Sequence, residues 1–187
     1  MFGGNVGPIW PEFKTIFSDT SMTAISIAYV SAGFAFAADG RSKWADESTA
    51  DDVTRTQESD TEQKIFHWKH KHLDFAYALT GMVFNKGKTF SLVSEMATTL
   101  KAVAELRINN LDDFIEQVCS RVKDSIVTAR ADGRIERFQG NPLSDSPDSQ
   151  DLIARIFFVG YRRNKPFLTL ATFRHKDQIV AEPEIAT

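Results

Sequence analysis

The segment 23–42 most constrains the fold, because it contains two short apolar runs joined by a tight turn. Apolar and small residues, two of them β-branched isoleucines, fill positions 24–30, and a second apolar run occupies 34–38 after a turn that contains Gly33. Such a pattern predicts an antiparallel β-hairpin. Asp39 follows the second run directly, and a charge at the mouth of an apolar sheet needs a partner. We therefore expect Asp39 to be buried at a strand end beside a cation.

The composition is typical of a globular domain. With 187 residues, of which 42% are hydrophobic, the chain can bury one sizeable core. The formal charge of −3 gives no electrostatic reason to expect nucleic acid or an anionic membrane as a partner. The single cysteine, Cys119, cannot form an internal disulfide and fits a reducing compartment. We predict that Cys119 lies on a helix in or near the core; the alternative, a catalytic thiol, needs a neighbouring base or a helix N-terminus.

Residues 1–22 differ from the rest of the chain. Glycines and prolines interrupt them, and their apolar residues form no sustained run. They have neither the basic start nor the apolar centre of a signal peptide, and no stretch of the chain approaches the roughly 20 apolar residues that span a bilayer. These features favour a cytoplasmic protein in which residues 1–22 are an N-terminal arm or propeptide and residues 23–187 are the folded domain.

An acidic, polar segment follows the hairpin. Residues 46–62 contain seven acidic residues and one basic residue, Arg55, with few large apolar side chains. This composition predicts a solvated loop over residues 43–63. Its two cations are Lys43 and Arg55, and Arg55 cannot shuttle a proton because the pKa of arginine stays above about 12.

Three histidines, His67, His70 and His72, lie within six residues after a short third strand. Histidines at this spacing can bind a metal, and His70 and His72 would project to the same side of an extended chain. No cysteine or acidic ligand is spaced beside them. We therefore favour a polar hairpin turn exposed to water, and we predict no metal site and no cofactor.

Two amphipathic helices are predicted next. Over residues 90–106 apolar side chains recur every three or four positions, and a clearer stripe follows Asn110, which is a favourable N-cap. Residues 132–150 interrupt the pattern with glycines and prolines and are predicted to be a surface connection. Residues 151–161 and 166–173 are predicted to form a last β-hairpin.

Three motifs occur in a fixed order. The first is Thr23, the predicted hairpin, and then Ala-Ala-Asp-Gly-Arg, in which Asp39 stands 16 positions after Thr23. The second is Lys-Ile-Phe at residues 64–66 with the run 73–81, which ends in Leu-Thr-Gly, and the third is the last hairpin, with Gly160 before its turn. In order and spacing these motifs resemble the proteasome β-subunit family of N-terminal-nucleophile hydrolases.

The resemblance implies an α+β four-layer αββα sandwich in which Thr23 is the nucleophile of a threonine-type peptidase. It also implies that Asp39 orients a cation, for which Lys43 and Arg55 are the candidates, and that the chain acts on peptides or proteins within a homo-oligomer or ring. A free threonine α-amine, with a pKa of about 7.7–8.0, can accept the hydroxyl proton at neutral pH. The amide nitrogen that is present while residues 1–22 remain attached cannot accept this proton.

Two departures from the family pattern predict that the activity is impaired or absent. The segment 43–63 contains no lysine after Lys43, whereas the corresponding loop of active family members carries one. Residues 178–187 contain neither glycine nor serine, whereas the family continues with a Gly/Ser-rich turn that supports the site, so the domain is expected to be C-terminally shortened. Removal of residues 1–22 is accordingly predicted to be slow or absent. The alternative to a weak peptidase is a non-catalytic structural subunit of a proteasome-like ring.

Overall fold

The computed structural model describes residues 25–30, 33–38, 42–46, 55–59, 63–71, 73–82, 89–108, 110–138, 150–163 and 165–187. Within them the chain is a mixed α+β protein with antiparallel sheets and two helices. The strands are β1 (Ile25–Val30), β2 (Gly33–Ala38), β3 (Ser42–Asp46), β4 (Arg55–Ser59), β5 (Ile65–His70), β6 (Leu73–Gly81), β7 (Leu152–Arg162), β8 (Lys165–Lys176), β9 (Ile179–Val180) and β10 (Glu184–Ala186). The helices are α1 (Leu92–Ala104) and α2 (Leu111–Ala131).

The largest sheet has six antiparallel strands. Its order is β10-β8-β7-β6-β5, and β9 pairs with β8 beside this path. Short turns join β5 to β6 and β7 to β8, so these neighbours in sequence are also neighbours in the sheet. β1 and β2 form a separate hairpin, and β3 and β4 form another. The hairpins predicted from segments 23–42 and 151–173 are therefore confirmed as β1–β2 and β7–β8.

Both helices pack on one face of the large sheet. Alternate residues of its central strands, such as Phe75 and Phe158, enter the same buried cluster as the apolar stripes of α1 and α2. Successive strand residues point to opposite faces, so these positions define the helix-facing side. Asn110 caps α2, because its side-chain oxygen accepts the backbone N–H of Asp112 at 3.2 Å. The two predicted amphipathic helices are thus confirmed.

The prediction of a continuous loop over residues 43–63 is wrong. β3 and β4 pair in an antiparallel ladder that places Lys43 in register with Glu58 and Asp46 in register with Arg55. A ladder pairs backbone N–H and C=O groups without needing an apolar core, which is why composition alone did not reveal it.

Candidate functional site

The β1–β2 hairpin covers the face of the large sheet that α1 and α2 leave open. Ile25 and Ile27 of β1 are buried in one cluster with Ala78, Phe157 and Val159 of the large sheet. The partly buried members of this cluster are Phe34, Phe36, Ala38, Ile65, Leu168 and Leu170. Helices, large sheet and hairpin therefore form three successive layers in the part of the chain that the structure describes.

One aromatic contact fixes the direction of the hairpin. The ring of Phe34, at the turn end of the hairpin, lies 5.3 Å from the ring of Tyr161, near the end of β7. At the other, open end of the hairpin, Ile25 is in register with Ala38. The open end therefore points toward the start of β7, away from Tyr161.

The predicted site residues lie in several segments. Thr23 and Asp39, which flank the open end of the hairpin in sequence, lie outside the described residues. Lys43 is in β3 and Arg55 is in β4, in a two-stranded sheet that shares no ladder with the large sheet. Each is in register with an acidic residue of that small sheet.

A buried lysine precedes β5. Lys64 is 3% exposed, and its carbonyl oxygen accepts the N–H of Leu79 at 3.1 Å. Lysine is almost never fully buried unless it is paired, because moving an ammonium group out of water is costly. Lys64 stands opposite Leu79, which belongs to the helix-side cluster, whereas the next residue, Ile65, packs in the cluster that holds the hairpin. Sequence analysis assigned no role to Lys64, because a lysine at the start of a strand resembles an ordinary solvated boundary residue. Its place in the 64–66 motif was the available signal.

Polar side chains cross the same end of the large sheet. One row of residues across β6, β7 and β8 consists of Thr80, Arg155 and Thr172. Thr80 is in register with Arg155, and Arg155 is in register with Thr172. We call these three residues the polar row. Thr80 is 1% exposed, and its Oγ1 has no hydrogen-bond partner among the described residues. Leaving a buried hydroxyl unpaired costs about 1–3 kcal/mol, so the polar row is a better candidate for binding chemistry than for packing.

Gly81 ends β6 beside the polar row and has a φ of +91°. A Cβ at this position would lie 2.6 Å from the carbonyl oxygen of Ile153. We expect Gly81→Ala to lower the free energy of unfolding by about 2–4 kcal/mol, because backbone strain adds to the clash. Gly133→Ala is the matched control: its φ is +74°, nothing lies within 4 Å of such a Cβ, and a loss of about 1 kcal/mol is expected. Urea unfolding measures both losses, and equal values would contradict close packing at Gly81.

Comparisons with protein-family models, curated proteins and solved structures gave no match for this chain. Among the residues that the structure describes, no helix is long and apolar enough to cross a membrane. What the chain does is therefore inferred from its own residues.

The histidine-rich stretch belongs mostly to a strand, which corrects the prediction of a turn. His67 and His70 lie in β5, because the alternation of inward and outward residues continues through them. His67 Nε2 lies 2.7 Å from Asp74 Oδ1 across the hairpin, and this hydrogen bond lowers the pKa of Asp74. His70 stacks on Trp68 instead. His72 lies outside the described residues, and within them no group of three His, Cys, Asp or Glu side chains could hold a metal ion.

His175 is buried in β8. It is 8% exposed, its ring stacks on Phe138 at 5.2 Å, and neither ring nitrogen has a hydrogen-bond partner among the described residues. Burial lowers the pKa of His175 below the ordinary 6.5, although the carboxylates of Asp151 and Asp177 act in the opposite direction. The folded protein therefore favours the neutral imidazole.

We expect His175 to make the protein less stable as the pH falls below about 6.5. Below this pH the unfolded chain binds the imidazole proton and the folded chain does not, so the free energy of unfolding decreases until the pH reaches the folded-state pKa. His175→Phe should preserve the stacking on Phe138 and remove the decrease in the free energy of unfolding that protonation of His175 causes. Urea unfolding at several pH values between about 7.5 and 5 measures the difference. The same pH dependence of unfolding in the wild-type protein and in His175→Phe would contradict this role of His175.

Cys119 has the core position that the sequence predicts. It is fully buried in α2, and burial, together with the nearby Glu116 carboxylate, raises the pKa of the thiol to about 12. The thiol is protonated at neutral pH, which argues against a catalytic thiolate.

Proposed function

We propose that this chain is a cytoplasmic, proteasome-like subunit of the N-terminal-nucleophile type and that it hydrolyses peptide bonds with Thr23. The observation that carries the proposal is the direction of the β1–β2 hairpin, whose open end points toward the end of the large sheet where Lys64, Thr80 and Thr172 are buried. Asp39 follows Ala38 directly, and Thr23 precedes Ile25 by two positions. In chain steps of about 3.8 Å, Asp39 is one step from Ala38 and Thr23 is two steps from Ile25.

In this proposal the reaction uses the N-terminal residue as nucleophile and base carrier. Once residues 1–22 are removed, the α-amine of Thr23 accepts the proton of its own hydroxyl, and Oγ1 attacks the carbonyl carbon of a peptide bond. The ammonium so formed donates the proton to the leaving amine, and the carbonyl remains on Thr23 as an ester. Water then hydrolyses the ester, which restores the hydroxyl and releases the carboxyl product.

Lys64, rather than Lys43 or Arg55, is the cation of the proposed site. Lys64 is buried at the end of the large sheet toward which the open end of the hairpin points, whereas the other two belong to the β3–β4 sheet. A buried ammonium stabilises negative charge on a nearby hydroxyl oxygen, and a carboxylate such as that of Asp39 would keep the lysine charged. With a lysine in this role, the absence of one from segment 43–63 no longer argues against activity.

The four-layer αββα sandwich and an oligomeric assembly are parts of the same proposal. The helices, the large sheet and the hairpin supply three layers. The outward residues of the hairpin, Ser26, Ala35 and Ala37, are small and exposed, so another layer or a neighbouring subunit can approach its backbone closely. We propose that the chain forms a homo-oligomer or ring, in which such surfaces are covered.

Hydrolysis of a fluorogenic peptide by the purified protein tests the proposal, and light scattering identifies the assembly. Hydrolysis that depends on Thr23 would support the peptidase. An oligomer without any hydrolysis would favour the alternative, a non-catalytic structural subunit of a proteasome-like ring. An inactive monomer of 21.0 kDa would contradict both.

A further inference from the structure

A pocket lies at the end of the large sheet opposite the polar row. It is enclosed by the β5–β6 turn, the segment after α1 and the first turn of α2, and its volume is about 320 Å³. Pockets that bind small molecules begin at about 300 Å³, so one small organic molecule is the appropriate size of occupant. The pocket is independent of the proposed peptidase, because none of its lining residues belongs to the polar row or the hairpin.

The rim of the pocket is basic. His70, Lys71 and Arg107 line it, and the lining residues that the structure describes include no carboxylate. Lys71 and Arg107 are exposed and have no ion-pair partner among the described residues. Two unpaired cations that face one cavity create a positive potential that favours an anion. The planar guanidinium of Arg107 can also donate two parallel hydrogen bonds to a carboxylate.

Both cations are held by unusual backbone. The φ of Lys71 is 52° and that of Arg107 is 56°, in the left-handed region where glycine or asparagine is preferred. Lys71 lies in the tight β5–β6 turn, and Arg107 lies just after α1. Local conformational preference is overridden at both positions, and both side chains border the same cavity.

The floor of the pocket is apolar. Leu73 and Phe114 are 7% and 1% exposed, and Ala104 and Ile108 complete the apolar lining. Phe114 is held in place by an edge-to-face contact with Phe75 at 6.2 Å. An inorganic anion would find no polar partner on such a floor, whereas an apolar group of an organic anion would bury surface against it.

We propose that this pocket binds a small organic carboxylate that carries an apolar group. The carboxylate lies between Lys71 and Arg107, and the apolar group lies over Leu73 and Phe114. This ligand class satisfies both halves of the lining, since neither a neutral apolar molecule nor a bare anion uses the rim and the floor together.

Titration of the ¹⁵N-labelled full chain with phenylacetate, followed by backbone amide NMR, tests the proposal. We expect saturable shifts concentrated at Lys71, Leu73, Arg107 and Phe114. Phenylacetamide, which lacks the charge, and inorganic phosphate, which lacks the apolar group, should each bind about tenfold more weakly or not at all. Equal binding of either probe, or shifts concentrated elsewhere, would overturn the proposal.

Arg107→Gln and Lys71→Gln should each weaken phenylacetate binding several-fold, and the double variant by about tenfold or more. Arg163→Gln is the matched control, because Arg163 is exposed, also has a positive φ of 50°, and lies in the β7–β8 turn without lining the pocket. It should leave the affinity within about twofold. Wild-type affinity in the double variant, or an equal loss in Arg163→Gln, would show that general surface charge and not the pocket attracts the ligand.

Discussion

Replacing Thr23 with alanine is expected to reduce peptide hydrolysis to the uncatalysed background, whereas Thr23→Ser should retain measurable activity. Alanine removes the hydroxyl that attacks the peptide carbonyl and leaves the α-amine in place, while serine keeps both groups. The fold should not change, because the substitution removes only a few atoms at a position that precedes β1. A continuous fluorogenic peptide assay measures the loss.

The three proteins are best compared in chains that start at Met22. Cells remove an initiator methionine that precedes a small residue, so threonine, serine and alanine all become N-terminal without self-cleavage. Any difference in hydrolysis then reports on the nucleophile alone. Hydrolysis by Thr23→Ala at the wild-type rate would contradict the assignment of Thr23 as nucleophile.

Lys64→Met is expected to lower the rate of peptide hydrolysis by about 10²–10⁴-fold, the range that positioned acid–base and charge assistance contributes. Methionine has nearly the length of lysine and can occupy the buried site without the ammonium group. Replacing a buried charge by an apolar residue of similar volume is often neutral for stability or even stabilising, unless it strands the partner. Urea unfolding therefore accompanies the assay, so that a loss of rate is separated from a loss of fold.

Lys43→Met and Arg55→Met are the matched controls for Lys64. Both residues are the cations that the sequence first offered, and both lie in the β3–β4 sheet. We expect each variant to keep hydrolysis within about threefold of wild type, as is usual for substitutions outside the reacting groups. A loss in Lys43→Met as large as that in Lys64→Met would contradict the choice of Lys64.

Local patterns were sufficient to predict several elements of the fold. The glycine turn between two apolar runs predicted β1 and β2, and the apolar stripe behind Asn110 predicted α2, because each signal is complete within a short stretch of chain. The last hairpin was predicted in the same way. The β3–β4 ladder was not predicted, because backbone hydrogen bonds stabilise it and an acidic, polar composition does not indicate them.

The candidate site was harder to predict because it depends on register and burial. Thr80 lies within a largely apolar run and Arg155 lies in the middle of a strand, and nothing in either stretch shows that the two stand side by side. Strand register is a non-local property, and a shift of one residue would move them to the other face. Burial of Lys64 is equally non-local, because it depends on elements distant in sequence.

Intact-mass spectrometry of the purified full-length chain tests the central claim most directly. The sequence alone predicts that removal of residues 1–22 is slow or absent, because segment 43–63 lacks a second lysine and residues 178–187 lack a Gly/Ser-rich turn. The buried Lys64 leads us to expect the opposite. The hydroxyl of Thr23 should attack the carbonyl of Met22 and break the Met22–Thr23 amide bond, which gives a free α-amine and an ester on Oγ1 that water then hydrolyses. The wild-type protein should therefore have lost residues 1–22 and begin at Thr23, while Thr23→Ala keeps its full mass. A wild-type protein that retains its full mass after prolonged incubation would contradict the claim that Thr23 is an active nucleophile.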